Sequence, residues 1–162
     1  MRWVVRVERE DDGSESDVIR IERSRTEDAA GLGLTLEDGK RIMALLQKRV
    51  LADQLREHCR LSRLCSVCAR TRAIKDCRQR VIDTIFGRLR VDAPRYERCR
   101  CGADRQPASP VSALIPGRVL PELLGLQARL GADLPYRQAA AILNTSLPEA
   151  TCFSLNFLLS NE

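Results

Sequence analysis

The sequence predicts an α+β fold built from three successive segments, residues 1–59, 60–105 and 106–162. Three observations predict it. Apolar residues alternate with polar ones in two separate places, the period of a strand with one buried face. Between those places runs a stretch with apolar residues at helical spacing. Beyond residue 106, prolines open short helical stretches, at the position where a missing N–H is harmless. Hydrophobic residues make up 44% of the chain and aromatics 4%, so the core must rest on Leu, Ile, Val and Ala.

The first segment opens as a β-hairpin. Trp3, Val5 and Val7 alternate with polar residues, Val4 being the exception, and Val18, Ile19 and Ile21 follow the polar stretch 10–16 with its Gly13. Residues 23–34 read as a connector. Gly31 and Gly33 bracket Leu32 there, and with no phosphate-loop continuation they read as turn punctuation, not a nucleotide site. A helix is expected from Thr35, whose hydroxyl can cap the first turn, with Glu37 and Asp38 at the positive end of its dipole. Leu36, Ile42, Met43, Leu45, Leu46, Val50, Leu51 and Leu55 carry it to about Glu57, with Lys40, Arg41, Lys48 and Arg49 opposite. Packing on the hairpin is the preferred role of this helix; dimerisation is the alternative.

The second segment holds strand-like runs at 80–86 and 88–94 that meet at Gly87, which can take the positive φ of a tight turn. Leu89, Val91 and Ala93 share one face, with Arg88, Arg90 and Asp92 on the other. In the third segment Pro107, Pro110 and Pro116 mark a linker. Helices are expected from Pro121 to about Leu130, over 136–144, and from Pro148 to about Leu159. Short helices with brief turns fit a helix-turn-helix and equally a plain bundle.

Charge is concentrated in the middle. Residues 60–105 carry 13 Lys/Arg against 5 Asp/Glu, whereas residues 1–59 carry 11 against 13 and residues 106–162 carry 3 against 4. Such a block favours a polyanion, because each neutralised phosphate releases condensed counterions. Its basic residues are Arg except for Lys75, which suits phosphate and guanine. A solvated surface is the bland alternative. No run approaches the roughly 18 apolar residues a membrane helix needs. The opening Met1-Arg2-Trp3-Val4-Val5-Arg6 breaks into charge too early for a secretory signal. A cytoplasmic protein with no membrane partner is expected.

Seven cysteines, an odd number in a chain read as cytosolic, argue against a disulfide framework and for metal. Cys65-Ser-Val-Cys68 and Cys99-Arg-Cys101-Gly102 stand 30 residues apart, with the second hairpin between them. Two sulfurs of a C-x-x-C turn can converge on one ion. So can the sulfurs of Cys99 and Cys101, which as residues i and i+2 of an extended segment share a side. This is a zinc-ribbon pattern whose expected ligands are Cys65, Cys68, Cys99 and Cys101 around a structural Zn²⁺ with no open coordination position. It departs from the usual form: the spacer exceeds about 15–20 residues, the second pair is tighter, and Ala69 stands where a Gly often follows the first pair. Free thiols and thiol redox chemistry are the alternatives. Cys59, Cys77, Cys152 and His58 fall outside the ligand set. A zinc-folded module would present Arg70, Arg72, Lys75, Arg78, Arg80, Arg88 and Arg90 to DNA, and removing the metal would unfold residues 60–105.

Taken in order, the N-terminal hairpin, Gly31-Leu-Gly-Leu-Thr-Leu-Glu-Asp-Gly39-Lys40, Cys65-x-x-Cys68, Asp83-Thr-Ile-Phe-Gly87-Arg-Leu-Arg-Val91, Pro94-Arg-Tyr96, Cys99-Arg-Cys101-Gly102 and Leu134-Pro-Tyr136-x-x-Ala139-Ala140 resemble the N-terminal region of ISKra-type insertion-sequence transposases, over nearly the whole chain to about residue 147. The resemblance implies DNA transposition and recombination. It also implies an RNase-H-like domain with three acidic residues on two metal ions. After Asp133 only Glu149 and Glu162 are acidic. The expectation is therefore a DNA-binding part with no catalytic residue, cut short near Leu147. Its expected partners are the DNA ends of the element, and further copies of itself or an intact transposase, with nucleoid association when bound to DNA. The rival functions are a zinc-ribbon adaptor that binds protein, which would lack salt-sensitive DNA binding, and a thiol-redox enzyme, which would need a reactive cysteine.

Overall fold

The computed structural model describes residues 1–25, 29 and 32–146. Gly31, Cys152 and the helix expected over 148–159 lie outside them. The fold is α+β: the described residues form two antiparallel two-stranded sheets, one long helix and three shorter helices. The chain divides into two compact units, Met1–Leu51 and Ala52–Glu162.

The first unit begins with β1 (Arg2–Arg9) and β2 (Ser14–Glu22), paired so that Trp3 faces Ile21 and Val5 faces Ile19, with a register irregularity after Val5. Ile19 and Ile21 are buried. The turn closes on Gly13 at φ 66°, whose N–H donates to the Arg9 carbonyl at 2.8 Å. Helix α1 (Leu36–Ser62) starts where expected, in a reciprocal cap. The Asp38 N–H donates to Thr35 Oγ1 at 3.1 Å, while Asp38 Oδ2 accepts from the Thr35 N–H at 2.8 Å and from its hydroxyl at 2.7 Å. Arg23 also bonds to this carboxylate.

Helix α1 runs about one turn past the expected end at Glu57, and the reason is long-range. The last four carbonyls of a helix have no partner within it. Here the Cys59 carbonyl accepts from the Tyr96 hydroxyl at 2.9 Å, the Arg60 and Leu61 carbonyls accept from the Arg63 and Leu64 N–H groups, and the Ser62 carbonyl accepts from the Arg72 guanidinium. All four are satisfied, two of them from side chains far along the chain.

The second unit centres on β3 (Ile74–Thr84) and β4 (Gly87–Tyr96). The turn is Ile85-Phe86, one step earlier than expected. Thr84 Oγ1 locks it, accepting from the Phe86 N–H at 3.1 Å and donating to the Gly87 carbonyl at 2.9 Å. Gly87 sits at φ 120°. Leu89 and Ala93 are buried while Arg88, Arg90 and Asp92 are exposed, the expected alternation.

The stretch read as a linker is packed. Its Ala108 carbonyl accepts from the Tyr96 N–H at 2.7 Å. Helix α2 (Pro110–Leu114) follows and buries Pro110 and Val111. Residues 118–120 then lie alongside Asp83, bonded through Asp83 N–H to Arg118 carbonyl at 2.8 Å and Leu120 N–H to Asp83 carbonyl at 2.9 Å. Helices α3 (Pro121–Asp133) and α4 (Tyr136–Ser146) follow, joined by Leu134-Pro135. Leu123 on α3 and Ala139 and Leu143 on α4 are buried. No helix among the described residues is long and apolar enough to cross a membrane.

Candidate metal centre

The hairpin β3–β4 brings its two flanking loops together, and with them four thiols. The sulfurs of Cys65, Cys68, Cys99 and Cys101 all lie within 4.8 Å of one another. Cys65 and Cys101 approach to 3.7 Å, Cys68 and Cys99 to 3.5 Å. Cys65 and Cys99 are buried, Cys68 is partly covered and Cys101 is exposed. Four thiols so placed can hold one metal ion.

Each loop is shaped for this by its backbone. In the first, Leu64 bridges Thr71, and the Cys65 N–H donates to the Arg70 carbonyl at 2.9 Å, so the chain doubles back around the C-x-x-C turn. The Ala69 N–H closes the turn on the Cys65 carbonyl at 3.0 Å. In the second, the Gly102 N–H donates to the Cys99 carbonyl at 3.1 Å, and Asp104 folds the chain back by accepting from the N–H groups of Cys99 at 3.4 Å and Gln106 at 3.0 Å. The residue after each cysteine pair is left-handed: Ala69 at φ 56° and Gly102 at φ 73°. Glycine takes that conformation freely and alanine does not. The missing glycine in the first loop therefore reflects a strained alanine in the same geometry.

The site favours thiolate at Cys65. The Cys68 N–H and then the Val67 N–H, 3.5 Å from the sulfur, lower its pKa to about 7. At Cys99 the Cys101 N–H acts in the same direction, but the Cys68 thiol, burial and Cys65 outweigh it and leave that thiol above its ordinary value. Cys59 is buried in the core, where desolvation and then Cys77 raise its pKa, and Cys77 is exposed on β3. His58 is on α1, outside the thiol cluster.

The seven basic residues expected to face DNA are sorted by the structure. Arg72 is 3% exposed. Its guanidinium serves the Ser62 carbonyl, the Pro107 carbonyl at 3.3 Å and the buried Asp104 at 3.5 Å, and lies 5.2 Å from the Tyr96 ring centre. Arg80 caps the end of α2, donating to the carbonyls of Ile115 and Gly117 at 2.8 Å and of Val111 at 3.3 Å. Arg72 is therefore corrected from an exposed DNA contact to a buried internal tie, while Arg80 is half-buried and holds the end of α2. A guanidinium offers five donors, and at Arg72 they are turned inward to carbonyls and Asp104, away from solvent. Arg88 pairs with Asp83 at 2.7 Å, and Arg78 lies 3.9 Å from Asp76. Arg70, Lys75 and Arg90 are exposed. Arg98, Arg100 and Arg105, outside the expected set, are also exposed and stand beside or between the second pair of cysteines. Their adjacency to the ligands was the available signal.

A scan against protein families, a search of curated proteins and a search of solved structures each found no match to this chain.

Proposed function

We propose that this chain is a zinc-stabilised DNA-binding module that serves an insertion-sequence transposase and carries no catalytic site of its own. The observation that carries the reading is the four-thiol cluster within a segment holding 13 Lys/Arg against 5 Asp/Glu. Zinc is the ion the cluster suits. Sulfurs about 2.3 Å from a tetrahedral zinc stand roughly 3.8 Å apart, against the 3.5 and 3.7 Å of the two close pairs. Four protein ligands close the coordination shell, so the ion's role is structural and its binding energy is folding energy. The positive excess then supplies salt-sensitive attraction to phosphate. The transposase assignment rests on the order of sequence motifs described above.

The test is duplex DNA binding over a salt series, with metal-loaded and chelated protein. The reading expects affinity that falls steeply with salt and vanishes on chelation together with the signal of β3–β4. Binding that ignores salt, or survives chelation unchanged, overturns it.

One observation favours a protein-binding adaptor as the second reading. The first unit carries an open apolar groove of about 460 Å³ lined by Met1, Trp3, Ile21, Leu32, Leu34 and Ile42. Exposed apolar surface of this kind marks protein interaction sites. That reading keeps the zinc and expects no salt-dependent affinity for DNA.

A further inference from the structure

We infer that the phosphate-contacting surface is the arginine rim of the two metal loops: Arg70, Arg98, Arg100 and Arg105. This rests on the DNA-binding reading above and locates it on the molecule.

The basic residues of 60–105 fall into two groups. Arg60 pairs with Glu57, Arg63 donates to the Arg72 carbonyl, Arg95 and Arg78 face Asp76, and Arg88 pairs with Asp83. Arg72 and Arg80 are tied to backbone carbonyls. Each of these groups has a partner within the chain, Arg60 and Arg78 at exposed positions. The guanidinium groups of Arg70, Arg98, Arg100 and Arg105 make no ion pair or hydrogen bond among the described residues, and all four residues are exposed. Lys75 and Arg90 share that freedom but stand on the strands.

All four stand on the loops that carry the candidate metal ligands. Arg98 and Arg100 flank Cys99, and Arg100 lies between two ligands. The Arg70 carbonyl is bonded to the Cys65 N–H. Arg105 sits within the Asp104 loop that folds back on the Cys99 N–H. The nearby acids are Glu97, which is exposed, and Asp104, which is buried against Arg72. Four thiolates on a divalent ion carry two negative charges, so four arginines leave the loops net positive. A backbone phosphate suits such a surface, since arginine offers paired donors to its oxygens. The contact carries no base information by itself.

The same charge count defines the rival role, in which the arginines only neutralise the metal–thiolate centre. The experiment uses the full chain, with fluorescence anisotropy on a duplex of about 20 base pairs (two helical turns) across a salt series, and with metal content measured on every variant. Arg98→Gln with Arg100→Gln is compared with Arg98→Lys with Arg100→Lys. The inference expects the glutamine pair to retain its metal and to reduce the slope of log affinity against log salt by about 1.8, at roughly 0.9 per phosphate contact. The lysine pair should restore the slope, because it keeps the point charges. An unchanged slope with metal retained overturns the inference. So does metal loss in the glutamine pair that lysine repairs without a change in slope, because the arginines then serve the ion. Absence of DNA binding by the unaltered chain removes the functional reading itself, and the inference with it.

Discussion

Ala69→Gly should tighten metal binding, although it removes a methyl group and touches no ligand. Ala69 is held at φ 56°, directly after Cys68, in the conformation that Gly102 takes at φ 73° after Cys101. A left-handed residue with a Cβ costs roughly 1–2 kcal/mol. Glycine removes that cost and adds about 0.4–1 kcal/mol of unfolded-chain entropy to be lost on folding. The difference favours glycine by about 0.5–1 kcal/mol. Under the reading that this loop folds around its metal, the gain appears as affinity, about two- to fivefold at 1.4 kcal/mol per decade. Competition with a chromophoric chelator reads the change directly, and the Gly102→Ala variant should move affinity the opposite way. If Ala69→Gly leaves affinity unchanged or weakens it, the left-handed turn is not formed by metal binding and the strain argument is wrong.

Three further perturbations test the fold around that site. Arg72→Ala should cost about 3–5 kcal/mol in chemical denaturation, because it leaves Asp104 buried without its counter-charge, and a loss below 1 kcal/mol would mean the pair is not formed. Leu123→Ala, at a position 1% exposed on α3, should cost about 2–5 kcal/mol, and a loss below 1 kcal/mol would mean α3 is not packed there. Thr35→Ala should cost about 1 kcal/mol of helix stability, measured by hydrogen exchange along α1. The Thr35 hydroxyl and then its N–H hold Asp38 below the usual carboxylate range. That stabilisation is therefore present above the usual range and lost as pH falls through the lowered pKa. The gap between Thr35→Ala and the parent should be widest near neutrality and narrow in acid to what the pH-independent Asp38 N–H bond to the Thr35 hydroxyl contributes; a gap independent of pH would refute the reciprocal cap.

What could be read in the sequence is what depends on neighbours in the chain. Both hairpins show as alternation, Thr35 and Asp38 announce the helix start, and the cysteine pairs stand out by spacing. What could not be read depends on distant partners. The end of α1 is set by Tyr96 and Arg72, which satisfy its last carbonyls from 37 and 10 residues away. Nothing local at 58–62 reveals this. The turn at Ile85-Phe86 is hidden because its residues are apolar and its lock is the Thr84 hydroxyl. The prolines of 107–116 look like a linker, yet Pro110 opens α2, whose end is capped by Arg80 from 31 to 37 residues earlier. At the site, the four clustered thiols were legible, whereas the division of arginines between internal ties and free surface required knowing which carbonyls lacked partners.

The most direct test of the central claim is the native mass of the purified full chain with its metal content. The account predicts one zinc per chain, displaced when Cys65 and Cys99 are both changed to serine and retained when Cys59 and Cys77 are. A chain that carries no zinc after expression in zinc-replete medium, or keeps it without Cys65 and Cys99, would contradict the account.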